Sequence, residues 1–281
     1  MASTRNRTDR CPGVLRPWSA DDGLLVRLRL IGGRVGSSAL TALADVATTY
    51  GDGRVRLTGR ANLQLRGLPG VDGRLDDDAI AALEATGLLP TRTHELVRNV
   101  MVSPQTGLAG GRADLRPVAD ELDRLLCADP GLAELPGRFL FVLDDGRGDL
   151  VDRGCDLGLV ALDADTAQLR VGGGWGPVVP LEAAAAEIVV LAGDFLDRRG
   201  SGPTAPWHVW ELDEPLLPPS IEDPRIPVAQ DPLAYGDVAG GEHVDAVSGL
   251  DRAAVAALTA SAPELVVTPW RGVLVPEESH A

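Results

Sequence analysis

The sequence predicts an α+β protein. Segments in which apolar and polar residues alternate with a period of two are interleaved with segments whose apolar residues recur every three to four positions. The chain opens in the order strand, helix, strand (read as two), helix. Hydrophobic residues make up 44% of the 281, an ordinary share for a protein with a real core.

Leu24, Val26, Leu28 and Leu30 alternate with Leu25, Arg27 and Arg29, which reads as a strand carrying two arginines on one face. Gly32-Gly33 breaks it. Ser37 or Ser38 is placed to cap a helix whose stripe is Leu40, Leu43, Ala44 and Ala47, and Gly51 or Gly53 ends it. Residues 54–67 form one long alternation, bent near Gly59 and read as two strands. Asp76, Asp77 and Asp78 sit where a helix start favours negative charge, Ile80 and Leu83 supply its buried side, and Gly87 stops it. This order is that of a ferredoxin-like half-unit.

Residues 90–200 read as a second module, with a helix over 117–126, a strand over 138–143, a turn over 144–148, strands over 157–162 and 168–171 pairing across 163–165, and an alanine-rich helix over 181–196. Residues 200–232 are rich in proline and acid and read as a linker or wrapping loop. In the tail, 251–258 is helical, Leu265-Val266-Val267-Thr268 repeats the pattern of Val55-Arg56-Leu57-Thr58, and 271–275 follows. An internal duplication explains this, its second copy lacking the closing helix. The expected organisation is a half-domain over 1–88, a second kind of half-domain over 89–200, a linker over 201–232 and a partial second copy of the first over 233–281.

The formal net charge is −15, which argues against a nucleic-acid partner. It is unevenly spread: residues 1–100 hold 14 Arg against 11 acids, and the remainder 12 Arg against 30 acids. An anion site therefore belongs in the first third. Every basic residue is Arg. Cys11, Cys127 and Cys155 show neither metal-finger spacing nor a disulfide framework, which points to a reducing cytoplasm. Residues 1–10 are polar and unlike a signal peptide, and no apolar run reaches the ~20 residues of a membrane span. His94, His208, His243 and His280 lack metal spacing.

The candidate site is the face formed by Arg54, Arg56, Thr58, Arg60, Asn62, Gln64 and Arg66: four guanidiniums and three uncharged hydrogen-bonding groups, with no acid in the strand. Like charges on one strand repel unless an anion lies across them, and arginine grips carboxylates in a two-pronged geometry. A multi-carboxylate ligand fits; the alternative is a solvated sheet face. Arg27 and Arg29 extend the candidates, as do Arg98, whose alternative is pairing with Glu95, and Arg138, whose alternative is an ordinary strand-entry arginine. Gly172-Gly173-Gly174 is either a close backbone approach to a flat ligand or a hairpin turn before a buried Trp175. Cys11 either lines a cleft or is an inert thiol. His94, near the anion face, is the histidine to test.

Cys11-Pro12-Gly13, Arg27-Leu28-Arg29-Leu30-Ile31-Gly32-Gly33, Leu57-Thr58-Gly59-Arg60-Ala61-Asn62-Leu63-Gln64-Leu65-Arg66-Gly67, Arg98-Asn99-Val100, Leu135-Pro136-Gly137-Arg138-Phe139 and Val171-Gly172-Gly173-Gly174 occur in an order that resembles the nitrite/sulfite reductase family. Thr268-Pro269-Trp270-Arg271 resembles a word of its precorrin-3B synthase branch. The resemblance implies ferredoxin-like half-domains beside a sirohaem-type half-domain in an incomplete pseudo-twofold repeat. A tetrapyrrole lies in the family's central cleft with its carboxylates held by arginines. Arg29, Arg98 and Arg138 match three of four cationic positions around the family's anion, Leu140 stands at the fourth, and Thr58, Arg60, Asn62, Gln64 and Arg66 match the strand that clamps the macrocycle.

The family uses a [4Fe–4S] cluster, held by four cysteines after the second repeat, together with sirohaem or further iron. This sequence has no cysteine after Cys155, so the resemblance implies a chain truncated before those ligands or a relative without a cluster. The implied function is a precorrin-3B synthase-like oxidoreductase of cobalamin biosynthesis, with oxygen-dependent hydroxylation and lactone formation on its substrate. The alternatives are a sirohaem-dependent nitrite or sulfite reductase and a non-catalytic tetrapyrrole-binding relative. The implied partners are a tetrapyrrole and an electron donor, with neither nucleic acid nor membrane.

Overall fold

The computed structural model describes residue 9 and residues 11–277. Residues 1–8 and 10, read above as unlike a signal peptide, and His280 lie outside the described residues. The fold is α+β.

β1 (Trp18–Ala20) and β2 (Gly23–Leu28) form an antiparallel hairpin. β3 (Arg34–Gly36) runs into α1 (Ser37–Tyr50), which buries Leu40, Leu43, Ala44, Val46 and Ala47. Gly36 is the N-cap, and the Ser37 hydroxyl donates to the Ala262 carbonyl rather than capping the helix. β4 (Arg56–Leu57) and β5 (Leu63–Leu68) are antiparallel, so the bend expected near Gly59 is a full reversal of the chain. A short hairpin of β6 (Gly70–Val71) and β7 (Arg74–Leu75) precedes α2 (Asp77–Ala85), whose first turn places Asp77 and Asp78 at the positive end of the helix.

β8 (Val100–Val102), α3 (Arg116–Ala128), β9 (Phe141–Asp144), β10 (Leu157–Ala161), β11 (Thr166–Val171), β12 (Gly174–Pro180) and α4 (Leu181–Arg199) follow. The chain closes with β13 (Gly236–Val238), β14 (Gly241–Asp245), α5 (Arg252–Thr259), β15 (Glu264–Val267) and β16 (Gly272–Pro276).

These elements divide into two compact units. The first joins Cys11–Leu96 to Pro232–Ala281 and holds the sheets β1-β2-β5-β4 and β13-β14-β16-β15-β3. The two sheets are copies of one pattern: hairpin β1–β2 corresponds to β13–β14, α1 to α5, and β4–β5 to β15–β16. The copies also exchange strands. β3 leaves its own sheet to pair with β15, placing Val35 opposite Leu265, and Leu250 in the second copy reaches back to Val55 through two 2.8 Å backbone hydrogen bonds. Val55 and Leu265 are both fully buried, and α1 packs on α5, so a single core runs through both copies.

The same turn recurs in both copies. Thr58 N–H donates to Asn62 O at 2.9 Å and Ala61 N–H to Thr58 O at 3.0 Å; Thr268 and Arg271 do the same with Gly272 O at 2.9 Å and Thr268 O at 3.1 Å. Each threonine hydroxyl accepts the N–H four residues on. Ala61 (φ 54°) and Arg271 (φ 63°) both sit in the left-handed region, which is strained for a side-chain-bearing residue.

The second unit contains Val97–Asp231 around the sheet β12-β11-β10-β9-β8, parallel from β8 to β10 and antiparallel from β10 to β12. α3 and α4 pack on each other, and α4 lies against β10 and β11. Phe139, Phe141 and Phe195 meet with ring centroids 4.9–5.2 Å apart. The strand expected over 138–143 begins only at Phe141, because Phe139 N–H closes a turn onto Pro136 O and Leu140 N–H is taken by the Asp156 carboxylate. Gly172 (φ 58°) turns the β11–β12 hairpin; the Trp175 that follows is half-buried, with its Nε1–H on Glu222. Residues 200–231 wrap this unit: Ser220 bridges to Trp175, and Gln230 N–H donates to Gly148 O.

Candidate functional site

The hairpin keeps part of the arginine face, Arg56, Gln64 and Arg66, and sets Arg27 beside it. Arg56 on β4 stands opposite Gln64 on β5, which stands opposite Arg27 on β2. Residues in register across antiparallel strands share a face, so the three form one row. Arg27 Nη2 donates to Gln64 Oε1 at 3.3 Å, and Arg66 extends the face two residues along β5. The opposite face carries Leu57, Leu63 and Leu28 into the core.

Three positions of that face depart from the sequence reading. Arg54 is turned to the Ser248 and Gly249 carbonyls, at 3.5 and 3.4 Å. Thr58 uses its hydroxyl to hold the turn, accepting from Arg60 and Asn62 N–H. Asn62 is 1% exposed and accepts Leu30 N–H at 2.9 Å, so it ties the segment after β2 to the entry of β5.

The face is also not free of acid. Asp52, at the end of α1, pairs with Arg56 at 2.6 Å, and Asp22, in the β1–β2 turn, is gripped by Arg66 in two bonds of 2.9 and 3.0 Å. Hydrogen bonding from these guanidiniums holds both carboxyls below the usual carboxylate range. Such solvent-washed pairs are weak, and a better-oriented polycarboxylate can compete for the guanidiniums.

Arg29 is 3% exposed and donates to Pro12 O and Arg27 O at 3.1 and 3.3 Å, bracing the Cys-Pro-Gly loop. The Glu95 carboxylate holds the same loop through Val14 and Leu15 N–H. Burial pushes the Glu95 carboxyl up, while those N–H donors and nearby Arg29 and Arg16 pull it back. Arg98 does not pair with Glu95: it forks onto Asp123 of α3 at 2.6 and 2.8 Å, largely buried. Arg138 lies half exposed, 3.6 Å from Asp9 and 5.3 Å over the Trp207 ring. Leu140 is buried with Met101, Val142, Leu150 and Cys155. His94 is 3% exposed beside the Thr93 hydroxyl.

Two arrangements were missed from the sequence. His208 and Asp156 pair at 3.1 Å across 52 residues, a distance no local motif spans. Asp144, Asp145 and Asp149 bring their oxygens within 4.8 Å of one another. Asp144 there accepts N–H from Gly146, Gly148 and Leu150, and Asp145 pairs with Arg147 at 2.7 Å, so these carboxylates organise the loop.

The cysteines do not fit an iron–sulfur cluster. Four thiolates are needed and the chain has three, Cys11 in the first unit and Cys127 and Cys155 in the second. Burial pushes the Cys155 thiol up to about 11, and burial with Asp123 raises Cys127, so neither favours its thiolate.

The arginine row lies within residues 19–72, which match the family model of the nitrite/sulfite reductase ferredoxin-like half domain. Residues 19–72 are thus similar to a half-domain of the nitrite/sulfite reductase family. A precorrin-3B synthase of Sinorhizobium sp is 32% identical over 146 residues, half of this chain and 29% of that protein. A ferredoxin–nitrite reductase of Synechococcus elongatus is 35% identical over 136 residues, 45% of this chain and 26% of that protein. The chain thus matches under a third of either relative's length. The structure of the Mycobacterium tuberculosis NirA protein superimposes on 96% of this chain and 60% of its own, with TM-score 0.63 and 18% identity, a likeness of fold. Among the described residues no helix is long and apolar enough to cross a membrane.

Proposed function

We propose that the arginine row of the half-domain binds the carboxylates of a tetrapyrrole, and that the chain serves a precorrin-3B synthase-like oxidoreductase. The observation that carries this is the register Arg56–Gln64–Arg27, with Arg66 beyond it: forked donors lined up on one face of a sheet whose reverse is core. We assign Arg60, in the turn between β4 and β5, to the same set. The relative named a precorrin-3B synthase supports the choice of macrocycle. The buried, apolar Leu140 supports it over a small-anion reductase, which gains from cations around its substrate. Arg29 and Arg98, both buried and bonded within the protein, serve in this reading as braces for the framework, and Arg138 lies half exposed against Asp9 and Trp207.

The chain does not supply a cluster's four thiolates, so electron delivery is assigned to none of its residues. Titration with uroporphyrin, followed by the shift of its absorption band, tests the proposal. Arg27→Ala and Arg60→Ala should each weaken binding about tenfold, the value of one charge-assisted carboxylate contact. Unchanged affinity in both variants sinks it.

The similarity to a ferredoxin–nitrite reductase favours a second reading, a sirohaem-dependent nitrite or sulfite reductase. Sirohaem bands in protein purified under nitrogen would replace the first reading with this one. Porphyrin binding without turnover in any reconstituted system would leave a tetrapyrrole-binding relative.

A further inference from the structure

We propose that His208 is a proton-transfer group whose working atom is Nε2, with Asp156 as its positioning residue. Asp156 lies in the loop entering β10 and is fully buried. Its carboxylate accepts Leu140 N–H at 2.8 Å, Val209 N–H at 3.0 Å and the His208 Nδ1 at 3.1 and 3.2 Å. A carboxylate held by two other donors can only accept, so the neutral ring carries its proton on Nδ1 and presents a lone pair on Nε2. The Trp210 ring stacks on the imidazole with centroids 4.2 Å apart and planes 8° from parallel, which fixes the ring.

Nε2 makes no hydrogen bond to any described residue. The contrast with the other described histidines is sharp. His94 is 3% exposed, and His243 is fully buried with both nitrogens in use, Nδ1 on the Leu233 and Ala234 carbonyls and Nε2 on the Thr268 hydroxyl. Asp156 is the ionisable group in contact with the His208 ring. Beside it on the same segment, Trp207 carries Arg138 over its ring and Glu211 on its N–H.

The step is a simple transfer. A hydroxyl group of a small-molecule ligand gives its proton to Nε2, leaving an oxygen anion and an imidazolium held on Asp156; the reverse step returns the proton to that oxygen. No electrons move. The inference rests on the second unit alone and does not require the tetrapyrrole reading.

The 281-residue chain labelled with 15N-histidine tests it. Long-range proton–nitrogen correlation at neutral pH should show His208 protonated at Nδ1 and bare at Nε2. Diethyl pyrocarbonate, which acylates bare imidazole nitrogens, should modify His208 at least tenfold faster than His94 or His243, read by peptide mass. Asp156→Asn, whose amide can donate to Nδ1, should move the proton to Nε2 and slow the modification. A wild-type His208 protonated at Nε2, or modified no faster than the buried histidines, overturns the proposal whether or not the variant folds.

Discussion

Burial holds the Asp149 carboxyl at about 7, although the Ser103 hydroxyl donates to it at 2.6 Å and pulls the other way. The folded protein therefore keeps a proton that the unfolded chain releases above about pH 4. More protons bound in the folded state means that this group's contribution to stability falls as pH rises from about 4 to 7. Asp149→Asn keeps an acceptor for Ser103 and should flatten that fall; unfolding midpoints measured from pH 4 to 8 check it, and an unaltered slope counts against the assignment. Arg98→Ala strands Asp123 in a largely buried site and should cost about 3 kcal/mol in denaturant unfolding, whereas loss at an exposed pair such as Arg56–Asp52 should scarcely register. At this scale the sequence displayed the donors but not their partners. The alternation put Arg56, Gln64 and Arg66 on one face, yet Asp22 lies 44 residues from Arg66 and Asp123 lies 25 from Arg98, beyond any local pattern.

Elements were legible where one period ran unbroken. The stripe of α1 and the pairing of β10 with β11 follow directly from it. The reversal between β4 and β5 was half-hidden, since the left-handed position that makes it is Ala61 and not a glycine; Gly59, two residues earlier, marked only a bend. β8 was missed because three buried residues in a row, Val100–Val102, show no alternation inside a parallel pair. The matched turns yield a prediction of their own. Arg271→Gly relieves a left-handed arginine and should stabilise the fold by about 1 kcal/mol, read from the midpoint of denaturant unfolding. Thr268→Val removes the hydroxyl shared by His243 and Gly272 N–H and should destabilise by about 1–2 kcal/mol in the same assay.

For the molecule as a whole, the duplication was legible in a four-residue echo, but the exchange of strands between the copies was not, because nothing in β3 states which sheet it will join. Gly33 is where the crossing is made: it holds φ 73°, and a side chain there would strike the Val267 carbonyl. Gly33→Ala should therefore loosen the β3–β15 pairing selectively, visible as faster amide exchange at Val35 and Leu265 than at Val142 in the second unit. Uniform loosening across both units would contradict this.

The exchange has a consequence for biosynthesis. β3 leaves the ribosome some 230 residues ahead of β15, so at ordinary elongation rates the nascent chain waits on the order of 10–50 s with Val35 and Val55 unmatched. During that interval unsatisfied strand borders are open to other chains, and dilution or a holding chaperone, more than any late gain in equilibrium stability, would set the yield of folded protein.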